Sequence, residues 1–216
     1  MPRRLRDLVR FYELLSTLEN RIGGARLLGQ CHGRMPWPTR GVYFFREPGQ
    51  ESSDSGSGPR IVVRVGTHAL TSGSSTTLWN RLSQHRGQQA SGGGNHRGSI
   101  FRLLVGSTLP EAATVSTWGV GSNASREVRG LEHALERDVT SLIGAMSVLW
   151  LAVDDAPGPD SLRGYIERNS IGLLSNLAKD ALDRPSPAWR GHRCVRGKAL
   201  VRDSGLLNQN QVEQEP

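Results

Sequence analysis

Two stretches, Gly41-Val42-Tyr43-Phe44-Phe45-Arg46 and Ile61-Val62-Val63-Arg64-Val65-Gly66, decide how this chain folds. Both are rich in β-branched and aromatic residues and are bounded by glycine or proline, so each predicts a β-strand. Residues 49–59 between them are mostly small or polar, which predicts a mobile hairpin loop. Two strands joined in this way predict an antiparallel pair at the centre of the fold.

Apolar side chains recur at helical spacing before and after these strands. The pattern predicts helices over residues 5–22, 76–84, 127–143 and 160–177, and further strands over residues 100–105 and 146–153. Residues 26–38 are expected to form a loop, because two prolines interrupt regular structure there. This element order predicts an α/β (or α+β) fold with a small mixed or antiparallel central sheet flanked by helices.

The composition favours a polyanionic partner. The 216 residues include 27 basic and 20 acidic side chains, giving a net charge of +7, and all the basic residues except Lys179 and Lys198 are arginines. Arginine forks match phosphate geometry and stack on bases, so a nucleic acid is the expected ligand. The alternative is that a GC-rich genome encodes arginine in place of lysine.

The sequence predicts a cytoplasmic protein that does not enter a membrane. No run approaches the roughly 18 apolar residues that a membrane helix needs. Asp7 and Glu13 interrupt the basic N-terminal stretch, which does not resemble a signal peptide. Cys31 and Cys194 form no CxxC pair, so we expect two reduced thiols and no zinc site.

Several common catalytic motifs are absent from the sequence. It contains no P-loop, no HExxH and no GxSxG. The glycines at 92–94 lack the GK[ST] ending of a phosphate-binding loop. Asp154 and Asp155 resemble a metal-binding pair, but they precede Ala-Pro-Gly-Pro, which favours a solvated turn.

A different set of residues carries the candidate chemistry. Strand alternation places Gly41 and Tyr43 on one face of the first strand. Arg81 and His85 are four residues apart on a predicted helix and therefore point the same way. Glu167 flanks the apolar face of a later helix, where a carboxylate needs a partner or a metal ion to offset its desolvation.

Taken in order, these residues resemble the GIY-YIG nuclease superfamily. Gly41-Val42-Tyr43 is similar to its first triplet and Arg64-Val65-Gly66 to its second, as in a bacterial subgroup that has Arg-Val-Gly-Thr-His. Arg81, His85 and Glu167 follow on elements of the expected type. The resemblance covers residues 39–180, so we expect a nuclease domain there, an N-terminal helix and loop at 1–38 packed on it, and an irregular C-terminal extension at 181–216.

The resemblance implies a metal-dependent endonuclease that acts on DNA, double-stranded DNA above all, with Mg²⁺ or Mn²⁺ bound at Glu167. Arg81 would hold a phosphate, and either Tyr43 or His85 would assist the attack of water. The implied catalytic set is Tyr43, Arg64, Arg81, His85, Glu167 and one of Asn176 and Asn208. The expected substrate contacts are Gly41, Gly66, His68, His96 and Arg97, although His68 can instead cap a turn and the last two can belong to a mobile loop.

Two departures from the family pattern leave alternatives open. Arg64 stands where the family has a tyrosine, and the late asparagine of the family has no single counterpart here. A non-catalytic nucleic-acid-binding module on the same scaffold is therefore the first alternative, and a structural domain unrelated to nucleic acid is the second. The sequence names neither the target site nor the oligomeric state.

Overall fold

The computed structural model describes residues 2–51, 60–88, 90–196 and 198–215. Its sheet has four strands in the order β1 (Arg26–Leu27), β4 (Ser147–Ala152), β2 (Gly41–Glu51) and β3 (Arg60–Gly66). All neighbouring strands are antiparallel. The predicted fold class, a small antiparallel sheet flanked by helices, is confirmed.

Six α-helices surround this sheet within the described residues: α1 (Arg3–Arg21), α2 (Leu78–Arg86), α3 (Ile100–Gly106), α4 (Arg126–Gly144), α5 (Leu162–Leu174) and α6 (Lys198–Ser204). Four of them begin at a hydroxyl side chain that accepts a hydrogen bond from a backbone N–H in the first turn, namely Thr77, Ser99, Ser125 and Ser161. These N-caps satisfy donors that a helix cannot pair internally.

Strand β2 has a hydrophobic layer on each face. Tyr43 and Phe45 point into a core built with α2, α3 and α4, whereas Val42 and Phe44 point into a second core built with α1 and α5. The alternation follows from the two-residue period of a strand. It means that β2 is buried on both sides and holds its side chains in fixed positions.

The structure differs from the sequence-based prediction at four places. Residues 100–105, predicted as a strand, belong to α3. Residues 26–38, predicted as a loop, begin with the short strand β1. Strand β2 continues to Glu51, and residues 52–59 of the predicted hairpin loop lie outside the described residues. Residues 181–216, predicted to be irregular, contain α6 and buried apolar side chains.

The C-terminal residues complete the sheet edge. The backbone N–H of Leu207 donates to the carbonyl of Val63 at 2.7 Å. The Asn208 side chain accepts from the backbone N–H of Val65 at 3.2 Å and donates to its carbonyl at 2.9 Å. An amide side chain thereby replaces the strand that β3 lacks on this side, and it covers an edge that would otherwise be free to pair.

In the described part of the chain, none of the helices has the length and apolar character that a membrane span requires.

Candidate active site

The Tyr43 ring lies directly against Gly66. The two residues are opposite each other in the β2–β3 register. A methyl group on Gly66 would lie 2.3 Å from Tyr43 Oη, and one on Gly41 would lie 2.5 Å from the carbonyl oxygen of Leu151. Protein atoms therefore occupy the space beside both glycines. Close packing requires glycine at positions 41 and 66, and the predicted contact of these residues with substrate stays a prediction.

A buried hydrogen-bond chain begins at Tyr43. Its hydroxyl lies 2.8 Å from His85 Nε2, and His85 Nδ1 lies 2.7 Å from the Oγ of Ser99. Tyr43 and His85 have no exposed surface. Burial lowers the pKa of His85 well below its usual value, and the cations Arg81, Arg64 and Arg102 lower it further. The imidazole is therefore neutral near neutral pH.

The hydrogen bonds of Ser99 assign the His85 tautomer. Ser99 Oγ caps α3 by accepting from the backbone N–H of Arg102 at 3.2 Å. Among the described residues, the only other partner of this buried hydroxyl is His85 Nδ1, so its hydrogen points there. His85 then carries its proton on Nε2 and donates to Tyr43. The phenol oxygen is thus the acceptor of this pair.

Arg64, on β3, is a buried cation that interacts with Tyr43. One guanidinium nitrogen donates to the carbonyl of Leu207 at 2.5 Å, and its carbon lies 5.1 Å from the centre of the Phe101 ring. Burial lowers the pKa of Arg64, while Tyr43 raises it and Arg81 lowers it. Its Nε–H has no acceptor among the described residues.

A groove of about 580 Å³ opens above Arg64; we call it the central groove. Arg81 and Glu167 line it from α2 and α5. Glu167 Oε1 accepts from the backbone N–H of Thr67 at 3.1 Å. Burial raises the pKa of Glu167, and Arg64, the Thr67 N–H and Arg81 oppose this rise. The groove therefore combines a held carboxylate with two arginines.

The groove wall includes one of the two candidate asparagines. Asn208 lines the groove while its amide pairs with β3. Asn176 lies elsewhere and donates to the carbonyl of Asp183 at 2.8 Å. It joins two parts of the C-terminal segment, so the structure does not bring it to the site.

His68 also lines the central groove. Its Nδ1 is 2.9 Å from the carbonyl oxygen of Thr76, which makes Nδ1 the protonated nitrogen. Burial lowers the pKa of His68 to about 4. The hydrogen bond to Thr76 opposes this shift, whereas the cations Arg163 and Arg40 add to it. His68 is thus neutral, and its Nε2 has no partner among the described residues.

His96 and Arg97 do not reach the central groove. The His96 backbone N–H donates to Glu136 Oε1 at 2.6 Å, its Nδ1 lies 3.0 Å from the same oxygen, and its Nε2 accepts from the N–H of Gly119. Arg97 forms a two-pronged ion pair with Glu132 at 2.6 and 2.7 Å. Both side chains are occupied by protein partners, so their placement does not support the predicted role in holding phosphate.

The meeting of Arg64, Arg81 and Glu167 in the central groove agrees with a comparison of the whole chain with protein families. A family model described as the GIY-YIG domain matches residues 2–216. The chain belongs to the GIY-YIG family. Comparison with curated proteins and with solved structures found no match. The match extends beyond residues 39–180 and includes the C-terminal segment that carries Asn208.

Nucleases of the GIY-YIG family are generally dependent on a divalent metal ion. Among the described residues, no group of three or more His, Cys, Asp or Glu side chains forms a metal-binding cluster. A single carboxylate in a polar groove nevertheless fits Mg²⁺, which keeps several water ligands and often binds through one or two carboxylates. Glu167, whose Oε1 accepts from the Thr67 N–H, is the carboxylate that lines this groove.

Two residues of this GIY-YIG site were missed by the sequence-based prediction. Thr67 orients Glu167 through its backbone, which no side-chain pattern reveals. Ser99 orients His85, and its signal was present: a serine directly before an apolar run is typical of a helix N-cap. The strand prediction for residues 100–105 leaves no helix for Ser99 to cap, so it conceals this signal.

Proposed function

We propose that the protein is a metal-dependent endonuclease that hydrolyses DNA phosphodiester bonds in the central groove. The observation that carries this proposal is the meeting of Arg64, Arg81 and Glu167 in one groove, with the buried Tyr43–His85 pair close enough to Arg64 to interact with it. Hydrolysis of a phosphodiester needs cations for the phosphoryl charge, a base for water and help for the leaving oxygen. The groove supplies the cations, and the buried Tyr43–His85 pair behind Arg64 supplies the base.

Arg81 and Arg64 bind the scissile phosphate in this proposal. Arg81 lines the groove, and its contacts with Gln84 and Gly98, at 3.0 and 3.3 Å, involve only one of its guanidinium nitrogens. Arg64 retains an Nε–H without an acceptor among the described residues. Arginines placed in this way favour the charge that develops on phosphoryl oxygens in the transition state.

Glu167 holds the divalent cation, Mg²⁺ or Mn²⁺. When bound, such a cation supplies charge stabilisation to the phosphate and to the leaving oxygen. The Thr67 N–H fixes one oxygen of the carboxylate. The neighbouring arginines Arg64 and Arg81 oppose the rise in its pKa, which favours the ionised form that a cation requires.

In this proposal Tyr43 first releases its own hydroxyl proton to solvent, and its phenolate oxygen then takes the proton of the attacking water. His85 Nε2–H donates to that oxygen, and the neighbouring Arg64 offsets its negative charge. The tautomer set by Ser99 makes His85 a donor to the phenol oxygen, which favours Tyr43 as the base. The Tyr43 hydroxyl has no exposed surface in the free protein. We therefore propose that the bound phosphate draws Arg64 into the groove and opens a path for water to Tyr43.

The test compares cleavage of plasmid DNA by the wild type and by matched pairs of variants. Glu167→Ala and Arg81→Ala should abolish cleavage, whereas Asp154→Ala and Arg10→Ala, which remove exposed groups of the same kinds, should not. Chelation of divalent ions should stop the wild-type reaction. Mg²⁺-dependent cleavage by both site variants would contradict the proposal.

The same experiment separates the main alternative. A wild-type protein that binds DNA but does not cleave it in either Mg²⁺ or Mn²⁺ would be a binding module on this scaffold. Parallel reactions with single-stranded and double-stranded DNA would identify the substrate, for which we propose the duplex.

A further inference from the structure

A second groove of about 720 Å³ lies between α4 and the glycine-rich residues 91–95; we call it the α4 groove. Gln84 and Gly98 line both grooves. Arg81 donates to Gln84 Oε1 at 3.0 Å and to the carbonyl of Gly98 at 3.3 Å. Arg81 therefore stands where the two grooves meet, and a chain that passes it continues from one into the other.

The acidic residues of the α4 groove are neutralised within the protein. Glu132 is paired with Arg97 at 2.6 Å, and the two side chains are 3% and 4% exposed. Glu136 is paired with the fully buried Arg102 at 2.5 Å. Neither carboxylate is available to repel an anion that enters the groove.

The exposed side of the α4 groove carries a row of basic and polar residues. Arg129 and His133 line the groove, and Arg137 follows them one turn later on α4, beside the groove and against Gly92; all three are exposed. None of them forms a side-chain hydrogen bond or ion pair with another described residue. His133 and Arg137 lie against the glycine-rich segment, 3.2 Å from where methyl groups on Gly93 and Gly92 would be. Glycine lets the loop approach the row closely.

The dimensions of this row suit a polynucleotide. Eight residues of helix from Arg129 to Arg137 rise about 12 Å. Phosphates of one DNA strand follow each other at about 3.4 Å along the axis, so the row spans three or four of them. A small anion would need one cationic point, whereas this row offers an extended line of charge along the α4 groove, which meets the central groove at Gln84 and Gly98.

We propose that the α4 groove binds the DNA strand beyond the scissile phosphate and so gives the protein its grip on long substrates. This inference rests on the proposed nuclease function, which places the scissile phosphate in the central groove. Arg129 and Arg137 contact backbone phosphates, and His133 lies between them.

The test measures how DNA affinity depends on salt for the metal-free protein, using a fluorescent duplex. Removing one arginine that neutralises a phosphate should reduce the slope of log K against log salt by about 0.9. The double variant R129A/R137A should therefore lower the slope by about 1.8. The matched control R6A/R10A removes two exposed arginines from α1, on the other face of the sheet, and should leave the slope unchanged.

Cleavage assays distinguish the failure of this inference from the failure of the proposed function. If the wild type cleaves DNA and R129A/R137A keeps the wild-type slope, the α4 groove does not bind the strand and the nuclease proposal stands. If the wild type does not cleave but the slope falls as expected, the groove binds DNA and the nuclease proposal fails. A fall of the same size in R6A/R10A would also overturn the inference, because the effect would then reflect net charge alone.

Discussion

Substitution of Gly66 by alanine should disable the site while leaving most of the fold intact. The added methyl would lie 2.3 Å from Tyr43 Oη and 2.4 Å from Cζ. Even close carbon–oxygen contacts are about 3.3–3.6 Å, so the phenol would have to retreat by about 1 Å. Overpacking of this kind costs about 1–3 kcal/mol of stability.

The effect on catalysis should exceed the effect on stability. A catalytic group misplaced by about 1 Å reduces the rate about 10²-fold, so kcat for DNA cleavage by Gly66→Ala should fall by about two orders of magnitude. The assay is single-turnover cleavage normalised to the folded fraction, which circular dichroism measures. Gly98→Ala is the control, because its methyl would meet no atom within 4 Å although Gly98 lines the central groove. Wild-type kcat in the Gly66 variant would refute the role of the Tyr43 position.

Three further predictions concern stability and are checked by urea unfolding. Arg97→Ala should cost about 3–5 kcal/mol, because it leaves the buried Glu132 charge unpaired; a loss below about 1 kcal/mol would contradict the structural role. Burial raises the pKa of Asp183 to about 6 from 3.8, so this carboxyl group by itself removes about 3 kcal/mol from the stability of the folded state, relative to Asp183→Asn, as pH rises from 3.8 to 6. Asp183→Asn keeps an acceptor for the Tyr12 hydroxyl and should be the more stable protein at pH 8 but not below pH 4. Burial lowers the pKa of His68 to about 4 from 6.5, so the stability of the wild type relative to His68→Gln should fall by about 3 kcal/mol as pH falls from 6.5 to 4, a contribution opposite in sign to that of Asp183. His68→Gln should not show this loss of stability at low pH. Curves of unfolding free energy against pH that run parallel for the wild type and His68→Gln would contradict the prediction.

The sequence predicted the fold where periodicity and composition agree. Strand β2 alternates between two cores, and the amphipathic patterns of α1 and α4 correspond to the observed helices within two residues at each end. The five residues Tyr43, Arg64, Arg81, His85 and Glu167 were predicted from the resemblance of ordered motifs to the family, and the structure brings Arg64, Arg81 and Glu167 to one groove and Tyr43 into contact with His85. Local pattern was sufficient because each of them lies on a regular element.

Long-range partners were beyond the reach of the sequence pattern. Residues 100–105 form a short apolar run, which suits a strand or a helix equally well. The choice is made by Ser99, which caps the helix, and by Arg102, whose guanidinium is buried against Glu136 of α4. A buried arginine paired 34 positions away gives no local signal.

The same limit applies to the predicted substrate contacts His96 and Arg97, whose side chains pair with distant acids. His96 and Arg97 stand in a glycine-rich stretch beside polar residues, which by itself is typical of a mobile phosphate-binding loop. Their partners Glu136 and Glu132 are on the apolar side of α4, where a carboxylate is not expected without a compensating cation. Two buried acids on one helix face therefore required two basic partners, and this requirement could have been inferred from the helix before the loop was considered.

Arg64 shows how the departure from the family triplet still suits the site. A buried guanidinium is costly unless its charge and its donors find partners. Leu207, the Phe101 ring and Glu167 offset part of this cost, but the Nε–H stays without an acceptor among the described residues. A cation left incompletely satisfied at the base of an open groove is stabilised further when an anion enters. In the proposed complex, a phosphate would therefore stabilise Arg64, whose Nε–H has no acceptor among the described residues when the groove is empty.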